Sequence, residues 1–390
     1  MKRKTLLAGL LVLVVLLILG PRIATRMIAG SLNRVVDQVF APPSEEALRL
    51  HQTLLVADLH ADAMLWDRNL LRRSGIGHVD VPRMIEGRVG LQGFTSVIQT
   101  PADINIDANT DDTDQIRPLA MVQGWPPRTW SSNLERAIHQ ADKLRAFADA
   151  SDGALRIVTT RAELFDFLTA RDWGEAAIAG FLGIEGAHAL EGDLSNVDRV
   201  FEAGYRMVGL THFFDNAIGG SAHGVGRGGL TELGRSAIDR MQELGMAIDL
   251  AHASTALIDD VLDRATTPLL VSHTGVKGTC DNARTLDDGR LERIAATGGV
   301  VGIGLWETVL CGTTPDDWAR AVRHSVTVAG IDHVALGSDW DGAVTTVVDA
   351  SGTAHLTQAL LREGFADDEI RRIMGGNVVR VLAQTLPPGA

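Results

Sequence analysis

The amino-acid sequence predicts an α/β fold: a closed (β/α)8 TIM barrel, preceded by an N-terminal segment expected to form a transmembrane helix. Three observations lead there. From Glu45 onward, eight short apolar runs alternate with amphipathic stretches of helical period. The runs are apolar throughout instead of on alternate residues, as parallel strands covered on both faces should be. No glycine-rich phosphate loop follows the first run, and an open doubly wound sheet, the alternative, would need one.

The elements follow in chain order. Lys2-Arg3-Lys4 precedes an unbroken apolar run from Leu6 to Leu19, closed by Gly20-Pro21-Arg22. A positive start plus a hydrophobic segment marks an exported or anchored chain. The run is short for a span but passable for a slightly tilted helix. No small-x-small cleavage site follows it, so an uncleaved signal-anchor is favoured over a cleaved signal peptide and a secreted form. Residues 1–22 are expected to be the anchor, 23–44 an amphipathic juxtamembrane helix and linker ending in Pro42-Pro43, and 45–386 the barrel. Candidate strands are Leu54–Asp58, Gly93–Ile98, Gly180–Ile184, Met207–Leu210, Ala247–Leu250, Leu269–Val271, Val300–Leu305 and His333–Leu336. Candidate helices are Leu134–Ala150, Arg161–Ala170, Asn196–Ala203, Thr231–Leu244, Ser254–Arg264 and Thr314–Ala329. The polar stretch Thr100–Ser132 reads as a long loop after the second strand, either covering a site, contacting another subunit or simply solvated.

Composition narrows the function classes. The chain has 390 residues, 45% of them hydrophobic, ample for one large core. Net charge is -13 with no basic block beyond the N-terminus, which argues against a nucleic-acid partner. Cys280 and Cys311 could pair in an exported protein or stay as two buried thiols; no C-x-x-C spacing supports a cysteine metal site.

The chemistry lies where the strands end. The first ends in His60-Ala61-Asp62, whose two functional side chains fall on one face. Later strands end in Glu185, His212, His252, His273 and Asp339, and in a barrel all these ends share one rim. Burying so many ionisable groups is costly unless they are paired or hold a metal. Asp62, Glu185 and Asp339 carry three negative charges when ionised. Two divalent ions with a bridging hydroxide balance them, which favours a binuclear site with Glu185 as the bridge. Imidazole and carboxylate donors suit zinc best. Two such ions lower the pKa of a bridging water and polarise a carbonyl, as amide hydrolysis requires. Other residues are read as structural or peripheral: His188 as a hydrogen-bonding residue, His223 as a loop residue that either touches substrate or, the favoured reading, is solvated, Asp341 as orienting the last strand's loop, Asp249 as pairing with a neighbour, and Trp306 equally as pocket lining or packing.

The chain resembles the membrane dipeptidase (renal dipeptidase-like) family of zinc peptidases, among the metal-dependent hydrolases with amidohydrolase-type barrels. The resemblance runs from about Leu54 to Leu382. It is carried by His60-x-Asp62, Ile184-Glu185-Gly186-Ala187-His188, Leu210-Thr211-His212, Ile248-Asp249-Leu250-Ala251-His252, Ser272-His273, Asn282-Ala283-Arg284, Gly330 through Gly342, and Gly375-Gly376-Asn377. It implies two Zn2+ per chain, one held by His60 and Asp62, the other by His252 and His273, with Glu185 bridging. It implies attack by the metal-bridging hydroxide on a dipeptide substrate, with Asp339 as general acid/base, His212 stabilising the oxyanion and Arg284 gripping the substrate carboxylate. Family members often dimerise, so a homodimer is an open expectation. The mammalian members' C-terminal lipid anchor has no counterpart in the ending Leu-Pro-Pro-Gly-Ala. That leaves the N-terminal helix as membrane tether and suggests a bacterial inner-membrane protein with its catalytic domain in the periplasm. A related metal amidohydrolase acting on N-acyl amino acids or lactones is the alternative. A non-catalytic binding protein on the same scaffold would be favoured only if ligands were missing, and all are present.

Overall fold

Eight parallel strands close into a ring in the computed structural model, which describes Gly20 and residues 23–389. They are β1 (Val56–Ala61), β2 (Val89–Val97), β3 (Ile178–Glu185), β4 (Tyr205–Gly209), β5 (Ala247–Asp249), β6 (Leu270–Val276), β7 (Val300–Ile303) and β8 (Val334–Leu336). Each lies parallel to the next, and Leu336 of β8 pairs with Asp58 of β1 to complete the circle. Every residue of the eight strands is buried. This agrees with the uniformly apolar runs and with strands covered by helices on the outside and side chains within. A Cβ at Gly337, just past β8, would run into the Ser272 carbonyl, so only glycine lets the end of β8 approach β6 this closely.

Helix boundaries follow their caps. Thr231, Ser254 and Thr314 each accept a hydrogen bond from a backbone N–H of the first turn, so Glu232–Leu244, Thr255–Leu262 and Pro315–Ala329 begin one residue later than expected. Two strand ends shift more, and one is the end of β6, at Val276 instead of the expected Val271. β2 starts at Val89, four residues before the expected Gly93, because polar Gln92 is tolerated inside it: its amide donates to Asp58 at 2.6 Å. The outlying strand Leu155–Ile157, which pairs alongside β3, and the helix Glu45–Gln52 carry too short a pattern to read from sequence.

The N-terminal region differs from expectation. Among the described residues no helix is long and apolar enough to cross a membrane. The expected placement at a bacterial inner membrane, with the barrel in the periplasm, is therefore corrected: nothing described supplies a spanning helix. The described helical stretch 23–32 leads onto the barrel. Asn33 Oδ1 accepts from the Ala343 N–H at 2.8 Å, and Arg34–Val35 pair in parallel with Thr345–Thr346 just after β8. The apolar run Leu6–Leu19, on which the anchor expectation rests, lies outside the described residues. Cys280 and Cys311 form a disulfide.

Candidate metal centre

The carboxyl ends of six strands deliver seven ionisable side chains to one point at the barrel mouth. His60 comes from within β1 and Asp62 just after it, Glu185 from the last position of β3, and His273 from within β6. His212, His252 and Asp339 follow β4, β5 and β8. All seven are buried, the most exposed being Asp339 at 7%. Glu185 is the hub. Its Oε1 lies 3.6 Å from His60 Nε2, 3.4 Å from His212 Nε2, 3.3 Å from His252 Nε2 and 3.4 Å from His273 Nε2. His60 Nε2 also faces Asp62 Oδ1 at 3.5 Å and Asp339 Oδ1 at 4.0 Å. His60–Glu185–His273, Glu185–His212–His252 and His60–Asp62–Asp339 are each close enough for one ligand atom apiece to surround a cation.

The surroundings aim these groups. Ser272 Oγ sits between the back nitrogens of two rings, 3.1 Å from His60 Nδ1 and 2.9 Å from His273 Nδ1. Thr95 Oγ1 donates to Asp62 Oδ1 at 2.6 Å. Asp249 accepts from the backbone N–H groups of Ala251 and Ser272, tying β5 to β6. Asp58 accepts from Ser338 and Gln92, locking the end of β8 to β1 and β2. His252 and Asp339 both adopt left-handed backbone, φ 61° and 60°, a strained state for residues other than glycine that concentrates at functional sites.

The electrostatics are those of a site built around positive charge. Burial pushes the Glu185 carboxyl well above its ordinary range, and Asp62 pushes it further. Burial likewise raises Asp339 to about 8, against the pull of His60. His60 goes the other way: burial opposes its charge, but Asp62, Glu185 and Asp339 outweigh that and lift it to about 10. Burial drives His212, His252 and His273 well below the usual imidazole value, which keeps them neutral. His60 Nε2 is buried with no hydrogen-bond partner, and His252 Nε2 and His273 Nε2 face each other at 3.0 Å. Unpartnered imidazole nitrogens converging on crowded carboxylates are what a divalent cation relieves, so the residues fit a metal centre.

Arg284 stands at the rim. It is buried, its Nη2 donates to the His273 carbonyl at 2.7 Å, and its guanidinium carbon lies 5.7 Å from the centre of the Trp306 ring. The remaining candidates fall into place or out of it. Asp341 binds Arg68 and the His78 backbone N–H, orienting the loop after β8. Trp306 lines the cavity above the site. His188 is buried with neither ring nitrogen hydrogen-bonded, contrary to its expected role. His223 is buried rather than solvated: its Nδ1 meets the Ile106 carbonyl at 2.9 Å, and it lines the same cavity. The supporting roles of Ser272, Thr95 and Asp58 escape sequence reading; the only local signal was Ser272 beside His273.

Comparisons with known proteins converge. The family model for membrane dipeptidase (peptidase family M19) matches residues 44–386. An uncharacterized dipeptidase of Schizosaccharomyces pombe is 30% identical over 324 residues, 79% of this chain and 72% of its own length. Dipeptidase verJ of Clonostachys rogersoniana is 26% identical over 323 residues, 80% of this chain and 76% of its own. Among solved structures, the fold matches a Rhodobacter sphaeroides metallo peptidase liganded with a phosphinate mimic of the dipeptide L-Ala-D-Ala. That match has TM-score 0.70 and 24% identity, covering 85% of this chain and 99% of the other. The probable dipeptidase PvdM of Pseudomonas aeruginosa matches with TM-score 0.74 and 19% identity over 88% and 98%. A closed parallel barrel, a ring of metal-binding side chains at its mouth and a family match over most of the length agree: the chain belongs to the membrane dipeptidase family, peptidase family M19, and is a metallo-dipeptidase.

Proposed function

We propose that the protein hydrolyses dipeptides with two zinc ions. His60 and Asp62 would hold one ion, His252 and His273 the other, with Glu185 shared between them. The observation that carries this reading is the convergence of six ionisable side chains from five strand ends around Glu185 of β3, with one buried arginine beside them. Bound zinc supplies Lewis acidity, lowering the pKa of water and polarising the scissile carbonyl.

The chain's own groups do the rest. Arg284 pairs with the substrate's free carboxylate through two parallel N–H bonds and so fixes the scissile amide over the centre. Asp339 takes a proton from the attacking water and returns it to the nitrogen as the C–N bond breaks. One C–O bond forms, and a free carboxylate and a free amine leave. His212, kept neutral by burial, donates a hydrogen bond to the carbonyl oxygen as it gains charge. An arginine that needs a carboxylate one residue from the scissile bond confines the enzyme to dipeptides.

Metal content per chain, measured on the native protein and on Asp339→Asn beside amino-acid release from L,L and L,D dipeptides, tests this. Two zinc ions in both proteins are expected, with turnover in the variant reduced by roughly 10²-fold or more. A native protein that binds metal yet releases no amino acid from any dipeptide would sink the reading.

A further inference from the structure

The cavity above the metal centre is much larger than the chemistry needs. It measures about 790 Å³, within the range that encloses drug-sized ligands. Its ionisable lining, among the described residues, is Asp62, Glu185, His212, His223, His252, Arg284 and Asp339. The rest is uncharged and largely apolar, with Thr25, Thr100, Asn105 and Gln115 as its polar side chains. Helix 23–32 contributes Ile28 and Leu32, and the segment after β2 contributes Ile104, Ile116, Leu119 and Val122. Several of these are unusually open for large aliphatic side chains, Ile28 at 47%, Leu32 at 42%, Ile104 at 42% and Val122 at 44%. Apolar surface gathered around one concavity marks a binding site.

Topology sets the direction. Arg284 follows β6, whereas the apolar segment follows β2, and the two strands stand four apart in a ring of eight. They start from opposite sides of the ring, and the segment after β2 reaches as far as the loop after β4, where the Ile106 carbonyl meets His223 Nδ1. A substrate whose carboxylate rests on Arg284 and whose scissile carbonyl lies over the metal centre points its other half at the apolar wall. The wall is built and held. Ala29 of helix 23–32 packs in one cluster with Leu65, Trp66, Ile116 and Trp125, and the chain after the helix is hydrogen-bonded to residues 343–346. Among the described residues, no side chain of this wall carries a charge that could pair with a substrate ammonium group.

We infer that the enzyme selects substrates whose amino-side half is a large apolar group, an aromatic or long aliphatic residue or an acyl chain, seated between helix 23–32 and the segment after β2. The inference rests on the dipeptidase reading, because Arg284 sets the substrate's direction.

Two series sharing alanine as the carboxyl half test it on the zinc-loaded full chain: X-Ala with X running from Gly through Leu to Phe and Trp, and acyl-Ala running from acetyl through octanoyl to dodecanoyl. Release of alanine is read as kcat/KM. The value is expected to climb along at least one series, by up to about fourfold per buried methylene. A climb in the first identifies a side-chain pocket, a climb in the second an acyl pocket. Ile104→Asp and the milder Ile104→Ala, with Ile28→Asp, should cut the ratio of the largest to the smallest substrate by about tenfold or more for the charged replacements. Values that stay flat along both series while Gly-Ala is hydrolysed would overturn this inference and leave the dipeptidase reading standing. Release from no substrate would overturn both.

Discussion

At the residue scale, Ser272 bears on the tautomers that the proposed zinc centre requires of two imidazoles. Metal binding through Nε2 needs the proton of each ring on Nδ1, and a serine hydroxyl has two lone pairs to accept them. Ser272 Oγ stands 3.1 Å from His60 Nδ1 and 2.9 Å from His273 Nδ1, in reach of both rings at once. Ser272→Ala should weaken metal affinity about 10–100-fold, measured by competition with a chromophoric chelator; unchanged affinity would show that the rings orient themselves. The residue is adjacent to His273 and so visible, but its second partner is 212 positions away in the chain. A sequence carries no sign of such a contact. The same distance effect misplaced His223. A histidine in a glycine-rich loop reads as solvated, yet the segment after β2 folds over it and its ring ends up 1% exposed.

At the scale of elements, the short helix Glu45–Gln52 illustrates what periodicity leaves out. It is fastened by His51, whose Nδ1 meets Thr357 Oγ1 at 2.9 Å and whose Nε2 meets the Gly87 carbonyl at 3.2 Å. Burial lowers the His51 pKa to about 4, from an ordinary value near 6.5. The unfolded chain therefore takes up a proton that the folded one refuses between those two pH values. The stability held above pH 6.5 is lost as pH falls toward 4, by on the order of 3 kcal/mol from this residue. Urea unfolding of native protein and His51→Gln across pH 4–7 should show a shallower pH slope in the variant; equal slopes would assign the acid lability elsewhere. Elements whose signals are local were legible. Thr160 and Glu163 form a reciprocal capping box, as do Thr314 and Asp317, and the corresponding helices start within a residue of expectation. Helix 23–32 shows the converse: amphipathicity identified a helix, but not that Ile28 and Leu32 would line the cavity over the site.

For the whole molecule, closure of the ring converts a list of strand ends into a site. It also explains why the disulfide forms where it does. Cys280 follows β6 in the loop that leads to Arg284, and Cys311 follows β7; 31 residues separate them. Closing a loop of that length restrains the unfolded chain by roughly 3–4 kcal/mol on the chain-entropy account. The double replacement Cys280→Ser and Cys311→Ser should lower the melting temperature by several degrees in a non-reducing scan, and an unaltered melting curve would mean the bond adds no stability. The sequence by itself determined the barrel, the order of His60, Asp62, Glu185, His212, His252, His273 and Asp339 along it, and their position at strand ends. Those features rest on local period and local polarity, which neighbouring residues alone express. Only the tertiary structure decided that Ser272 lies beside two rings, that the cysteines pair and that helix 23–32 and the segment after β2 line the cavity over the site. Each of these joins segments remote in sequence, and their distances are set by the ring's closure and by packing over its mouth, not by any one stretch of chain.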